Sequence, residues 1–473
     1  MNKVLIIAGI LFFSIPLSVG SKEKNQLNKK PNIIILLADD LGFGDVGYNG
    51  SDIQTPNIDR IASEGVILNQ YYSCPMCSPA RAGIMTGRYP IRYGMMRSAI
   101  SPQCDFGLST SENTIPEMLA KAGYNYRGMV GKWHLGYRRQ EWHPYNRGFT
   151  YFKGCLNGAV NYFNRNLSID PGKEGNVDWY LNDQQIIEEG YTTDLIAKTA
   201  VDFITSVPLD KPFFLYVPFT APHGPLQAKQ EDMAKYPNRQ GAKRTYAGMV
   251  DNLDQNIGKI LICLERRGQL DETFILFCSD NGGLLKGASN GELHGGKLTP
   301  YQGGIRVVAA VRWPQGGING GNIINQRVGY IDIFPTIITI AGYHEFIKDK
   351  LDGQDILEIL KGDTIADRDW FTYEDQYDDK IEDLAINTDQ WKLVVKRPAP
   401  DNNLDISPVF ELFRIDSDPF EKNNEADQNQ EKVNELFPKI EKFYELKQQN
   451  QIPRYNENSN NSEISPPDWQ LKN

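Results

Sequence analysis

Two pairs of adjacent oxygen donors, one thiol, two histidines and three cations lie in short segments of this 473-residue chain, and four of those segments follow apolar runs. Asp39-Asp40 follows Asn32–Ala38 (NIIILLA), and Asp280-Asn281 follows Thr273–Ser279 (TFILFCS). Three carboxylates and an amide form an all-oxygen set, which suits a hard cation, Ca2+ ahead of Mg2+, rather than Zn2+. An Asp-Asp pair alone is also ordinary turn or capping chemistry; the Asp-Asn pair behind a second apolar run adds weight to a metal. Lys132 and His134 follow Tyr124–Val130, and His223 follows Pro212–Pro218 after a short loop. Cys77 stands before Ser78-Pro79, an N-cap and first-helical pair. That spacing predicts a thiol at a helix N-terminus, where free N–H groups and the helix dipole favour anions. Arg81 lies one turn on and can return to the same spot. A disulfide to Cys74, three residues away, is the alternative for Cys77.

Groups so far apart in sequence meet only if the elements carrying them converge. The continuous apolar runs read as strands buried on both faces, and they alternate with helices. Thr55-Pro56 opens one helix, and Thr114 with Glu117 has capping-box spacing before a stop at Gly123. Thr192–Ser206 and Ala247–Arg267 read as further helices, and Val307–Trp313 as a further strand. The pattern predicts an α/β fold, a large mixed and mainly parallel sheet flanked by helices. Ligands of such sheets bind at the carboxyl ends of the strands, so all four reactive segments are expected on one rim.

After about residue 360 the pattern changes to short strands at Trp370–Glu374, Trp391–Lys396 and Phe410–Arg414, then a helix over Gln430–Gln448 with Pro438 as a kink or break. The expected organisation is a signal peptide over 1–20, a linker over 21–30, a main domain over 31–360, a C-terminal α+β subdomain with a small antiparallel sheet over 361–449, and a polar tail over 450–473. The signal reading rests on Lys3, the apolar Val4–Phe13, Pro16 and the small residues Ser18-Val19-Gly20. The apolar segment is shorter than the roughly 18–20 residues of a membrane span. An exported protein, periplasmic or secreted, with no span after cleavage, is expected.

Composition is that of a globular chain, with 40% hydrophobic and 23% charged residues. The net charge of −10 opposes nucleic-acid binding, so attraction for an anionic ligand must come from a local cluster. Six cysteines in an exported chain raise the question of disulfides, but six are too few for a disulfide scaffold at this size.

The segment Cys77-Ser78-Pro79-Ala80-Arg81, followed by Thr86-Gly87-Arg88, resembles the signature of the formylglycine-dependent (type I) sulfatases. Asp39-Asp40 within LLADDLGFGDVG, Gly131-Lys132-Trp133-His134-Leu135-Gly136, Ala221-Pro222-His223, Asp280-Asn281-Gly282-Gly283 and Gly295-Gly296-Lys297 resemble the family's other blocks in the same order. The likeness spans about residues 31–345, is strongest to arylsulfatase B-type enzymes, and implies an alkaline-phosphatase-like fold. Gln302, where Glu is common, and Thr150, where Asp is common, depart from the pattern.

The resemblance implies that a formylglycine-generating or anaerobic maturation enzyme oxidises Cys77 to formylglycine. One hydroxyl of the hydrated aldehyde attacks sulfur, the alcohol leaves, and the second hydroxyl expels sulfate by restoring the carbonyl. Ca2+ is expected on Asp39, Asp40, Asp280, Asn281 and residue 77. Arg81 would position the formylglycine, Lys132 and Lys297 would hold sulfate oxygens, and Asp280 would help deprotonate the attacking hydroxyl. His134 would take up its proton, and His223 would protonate the leaving oxygen, alone or together with Lys297. The expected substrate is a sulfated polysaccharide or its oligosaccharides. Arg138, Arg139, Trp142 and His143 read either as a contact for an anionic sugar, with Trp142 a stacking face, or as a solvated loop. His294, three residues before Lys297, is expected to line the sulfate pocket or the adjacent sugar site. A phosphate or phosphonate monoesterase of the same superfamily and an inactive carbohydrate-binding relative are the competing readings.

Overall fold

Every residue of Asn32–Ala38 is buried, and this strand lies in the middle of a ten-stranded sheet. The computed structural model describes residues 30–170, 173–343, 345, 351–364, 366–374, 381–399, 406–455 and 467–469. The expected signal peptide, most of the linker and most of the tail lie outside the described residues.

In spatial order the sheet runs Asn322–Ile324, Val66–Leu68, Ala309–Arg312, Thr273–Ser279, Asn32–Ala38, Phe213–Pro218, Tyr126–Lys132, Tyr151–Cys155, Tyr180–Leu181 and Gln184–Gln185. The five strands from Thr273–Ser279 to Tyr151–Cys155 are mutually parallel, and antiparallel partners flank them on both sides. Ile33, Ile35 and Leu37 enter one apolar core, whereas Ile34, Leu36 and Ala38 enter the other. Two buried faces explain the unbroken apolar run: neither face can alternate with polar residues. Helix Cys77–Thr86 packs on the first face. Helices Thr192–Ser206 and Gly241–Arg266 pack on the second, with Ile196, Leu253 and Ile257 at 0% exposure. Each such side chain contributes roughly 1.5–3 kcal/mol on burial.

The C-terminal part is a four-stranded antiparallel sheet of Trp370–Glu374, Ile381–Asn387, Lys392–Pro398 and Val409–Phe413, covered by helix Gln430–Tyr444. Val433, Leu436, Ile440 and Phe443 of that helix join the first core, as do Trp370, Leu384 and Leu393, so this sheet has no wholly separate interior. Strand Ile381–Asn387 is an addition to the sequence expectation, and the helix does not end at Pro438. The latter is physical: Pro438 removes one backbone donor, while burial of residues on both sides of it holds the helix in place. Among the described residues, no helix is long and apolar enough to cross a membrane.

Parallel register aligns the strand ends. Ala38 is level with Ser279 and Leu37 with Pro218, so Asp39, Asp280 and the turn after Pro218 leave the sheet side by side. The Asp280 N–H donates to the Ala38 carbonyl, and the Asp39 N–H to that of Ala221. The neighbouring strand comes close because Gly131 (φ 130°) has no side chain: a Cβ there would lie 2.0 Å from the Pro218 oxygen.

Candidate active site

Cys77 is the first residue of helix Cys77–Thr86, capped by Met76. The expected Ser78 cap is therefore corrected. Ser78 instead ties three loops together at the thiol, since its Oγ donates to the His134 carbonyl (2.9 Å) and accepts from the Ile100 N–H (3.1 Å). All six cysteines are unpaired, which removes the Cys74–Cys77 disulfide. The Cys77 sulfur is 3.2 Å from Nδ1 of His134. His134 Nε2 is 2.8 Å from the Ile100 carbonyl, which can only accept, so Nε2 carries the proton and the Nδ1 lone pair faces the thiol. Burial and the Lys132 charge keep His134 neutral, well below its ordinary pKa. Burial pushes the Cys77 thiol up.

Beside the thiol three carboxylates and three cations interlock. Arg81 donates through Nε (3.0 Å) and Nη2 (2.8 Å) to Asp280 Oδ2, and through Nη1 to the Lys132 carbonyl (2.8 Å). Lys132 Nζ lies 2.6 Å from Asp39 Oδ2, and Lys297 Nζ 2.8 Å from Asp40. Asn281 Nδ2 donates to Asp40 Oδ1 (2.8 Å), and the Asp40 N–H donates to Asp280 Oδ1 (3.2 Å). Burial, then the charge of Asp39, raises Asp280 to about 6 despite Arg81. Burial would also raise Asp40, but Lys297 and His223 beside it hold its carboxyl well below the usual range.

Two oxygens in this cluster, Asp39 Oδ1 and Asn281 Oδ1, are buried with no hydrogen-bond partner. Orphaned buried acceptors are rare, and a pair of them among carboxylates fits a hard cation. Ligand atoms of Asp39, Asp40 and His223 lie within 4.8 Å of one another, a grouping that could hold a metal ion. His223 was not among the expected ligands. Its Nδ1 donates to the Gly224 carbonyl (2.6 Å), leaving Nε2 on the side of Asp40, 3.7 Å from Oδ2. Burial, then Lys297, lowers His223 to about 3.

A cavity of about 110 Å3 opens over Cys77, lined by His134, His223, Lys297, Ser168 and Tyr455 among others. Lys132 is fully buried and turned to Asp39, so it reaches this cavity through its field rather than by contact. None of the candidate sugar-contact residues lines this cavity. Trp142 is 7% exposed and His143 is 3% exposed against Phe152 and Trp469, so neither offers a stacking face. Arg139 pairs with Asp105, and neither it nor Arg138 lines the Cys77 cavity. His294 stacks on Tyr301 (ring centroids 4.0 Å apart), also outside the cavity. Apolar side chains of the loop around Trp142 pack inward, which composition alone does not reveal.

Some contributors carry no motif. Tyr246, on the long helix, donates to the Asp40 carbonyl (3.2 Å) and accepts from the Gly42 N–H (3.1 Å). Tyr162 gives its hydroxyl to the carbonyls of Thr220 and His223 (2.6 and 2.9 Å). Asp40 (φ 65°), His134 (φ 57°) and Leu298 (φ 71°) are non-glycine residues in left-handed backbone, a strain that clusters at working sites.

Known proteins share both the sequence and the architecture of this chain. A family model described as Sulfatase matches residues 31–343, and one described as N-sulphoglucosamine sulphohydrolase, C-terminal, matches residues 296–449. Arylsulfatase J of Mus musculus is 38% identical over 336 residues, 70% of this chain and 56% of that protein. N-acetylgalactosamine-6-sulfatase of Homo sapiens is 36% identical over 365 residues, 72% of this chain and 68% of that protein. The crystal structure of Ps i-CgsB in complex with k-i-k-neocarrahexaose has a TM-score of 0.81 at 33% identity, covering 94% of this chain and 99% of that one. A structure concerned with metabolism of multiple glycosaminoglycans by Bacteroides thetaiotaomicron has a TM-score of 0.71 at 26% identity, covering 88% and 100%. Fold and strand-end site thus define an α/β protein of the alkaline-phosphatase-like class. Within that class, the chain belongs to the sulfatase family.

Proposed function

We propose that this protein hydrolyses sulfate esters of a sulfated polysaccharide or its oligosaccharides, using a formylglycine made from Cys77 by a maturation enzyme. The observation that carries this reading is Cys77 in a small cavity with His134, His223 and Lys297, beside an oxygen cluster with two orphaned acceptors. The un-ionised buried thiol is a poor nucleophile as it stands, in keeping with a chemically altered residue 77.

Asp39, Asp40, Asp280 and Asn281 would hold Ca2+ together with residue 77. When bound, the ion supplies two positive charges that polarise a sulfate oxygen and orient the group at position 77. The three carboxylates and three cations already cancel, so the ion leaves a net +2 that favours an anionic ester inside an acidic protein.

His134 Nδ1, facing residue 77, takes the proton of the attacking hydroxyl. Lys297, on the cavity wall, holds a sulfate oxygen. His223 faces the site with an unprotonated Nε2, so it serves the leaving oxygen only after taking up a proton there, and it shares that step with Lys297, which stands protonated on the cavity wall. Arg81 and Lys132 act as positioning residues through Asp280 and Asp39. The sugar-directed relatives, one named for N-acetylgalactosamine 6-sulfate and one solved with neocarrahexaose, support a carbohydrate substrate. The leader-like residues 1–20 support export to the periplasm or beyond.

The test is free sulfate released from a panel of sulfated glycosaminoglycan and galactan oligosaccharides by protein co-expressed with a maturation enzyme, with Cys77→Ala as control. Release from at least one class, absent in Cys77→Ala, is expected. Formylglycine confirmed by mass at position 77 with no release from any class refutes the proposal.

A further inference from the structure

A second cavity, about 640 Å3, lies apart from the Cys77 pocket and shares none of its lining residues. Its wall carries Arg306. The Arg306 Nε and Nη2 both donate to Asn69, at 2.8 Å, to the backbone and side-chain oxygens. Its Cζ lies 5.2 Å from the centre of the Phe43 ring, which also lines the cavity. Among the described residues, Arg306 pairs with no carboxylate and its Nη1 has no acceptor. Partial burial pulls its pKa down, the mark of a cation lacking a counter-charge. A guanidinium partly withdrawn from water with only neutral partners lacks a counter-charge, which an anionic ligand supplies.

The acids at the mouth do not fill that role. Glu292, Asp389 and Asp416 are exposed, and Asp416 and Glu292 already face Arg414 and Lys422. Gln70 also lines the cavity, and its side-chain amide has no partner among the described residues. A half-buried guanidinium, the free Gln70 amide and the rings of Phe43 and Phe420, each with a cation over one face and the other face left for a sugar, are the equipment for a sugar bearing an acid group. The cavity is tied to the Cys77 site through the chain. Phe43 is three residues from Asp40 and Leu293 four from Lys297, so those walls lie within about 10–14 Å of the cluster by chain reach. Gly44 N–H to Ser289 carbonyl (2.9 Å) joins the two segments.

The geometry points to a second carbohydrate site here, in which Arg306 takes the carboxylate or sulfate of a sugar unit other than the one hydrolysed at Cys77. The inference rests on the sulfatase reading above.

Binding is measured by calorimetry on the full chain carrying Cys77→Ala, which cannot turn over the probes. The probes are hyaluronan hexasaccharide (carboxylate only), neocarrahexaose (sulfate only) and neoagarohexaose (neutral). At least one anionic probe is expected to bind and to lose tenfold or more in affinity with Arg306→Gln, partly recovered with Arg306→Lys. The probe that loses affinity identifies the acid group. Hydrolysis of a sulfated monosaccharide by the matured enzyme stays unchanged in Arg306→Gln, because that residue touches nothing at Cys77. Unchanged affinity in Arg306→Gln, equal loss for the neutral probe, or no binding of either anionic probe overturns the inference. Should Arg306→Gln fail to fold, Gln70→Leu on the same wall is expected to weaken the same probe, and unchanged affinity there overturns the inference equally. Failure of the sulfatase reading shows separately, as no sulfate release from matured enzyme while probe binding persists.

Discussion

Replacing Arg81 with Ala tests the electrostatic frame of the site. The guanidinium is fully buried and makes two charge-assisted hydrogen bonds to Asp280 and a third to the Lys132 carbonyl. Its loss leaves the Asp280 carboxylate buried beside Asp39 with the Asp40 N–H as its hydrogen bond and the Lys132 charge as its nearest cation. Breaking one side of a buried pair lowers stability by about 3–5 kcal/mol. At 1.4 kcal/mol per decade, that is a shift of roughly two to three and a half decades in the unfolding constant. Asp280→Asn leaves the guanidinium with Asp39, 3.6 Å away, as its remaining carboxylate, and its loss is expected to be smaller than that of Arg81→Ala. The double variant removes both charges, so its loss should fall short of the summed singles by about 2–3 kcal/mol. The assay is urea unfolding followed by tryptophan fluorescence at pH 7 in chelator, so that no cation replaces the missing charge. Single variants each below about 1 kcal/mol, or additivity within about 0.5 kcal/mol, would refute the idea that the pair acts as one buried unit.

Three further outcomes are expected. Lys297→Ala lowers kcat/KM for sulfate release by about 10²–10³-fold, the size seen when one charged or hydrogen-bonding group is removed from a developing anion, and a loss below tenfold counts against its contact with sulfate. Chelator lowers the thermal midpoint and calcium restores it better than magnesium, in proportion to ln(1 + [Ca2+]/Kd); a midpoint indifferent to both ions removes the cation from Asp39 and Asn281. Acid destabilisation is partly His143: burial lowers it from 6.5 to about 4, so the folded state binds fewer protons between those values. Its contribution is present above pH 6.5 and is lost as pH falls towards 4, about 3 kcal/mol in all, so His143→Phe should flatten stability against pH across that window, and an unchanged slope would be contrary.

What could be read in the sequence followed from local rules. Asn32–Ala38 and Thr273–Ser279 are strands with the same limits expected from their apolar runs, and Thr192–Ser206 is the helix expected from its pattern. The convergence of Asp39, Lys132, His223 and Asp280 followed from parallel strands sharing one rim. The rest was illegible because it depends on packing. Trp142 and His143 look like a sugar platform as letters, but inward packing consumes both. Tyr246 and Tyr162 reach the site through hydroxyl groups on otherwise apolar positions, with no spacing to announce them. Nothing in the sequence singles out Arg306; its place beside Phe43 shows only in the fold.

The left-handed backbone at Asp40, His134 and Leu298 sets two kinds of selection against each other. Each such residue holds roughly 1–3 kcal/mol that glycine would release. At 40 that relief is set against the unpaired Lys297 left behind, and at 134 against the emptied ring space, so a library screened for heat resistance should reach glycine only together with changes at those partners, while one screened for turnover should keep Asp and His. The positions where the two screens disagree would outline the working centre without any substrate in hand.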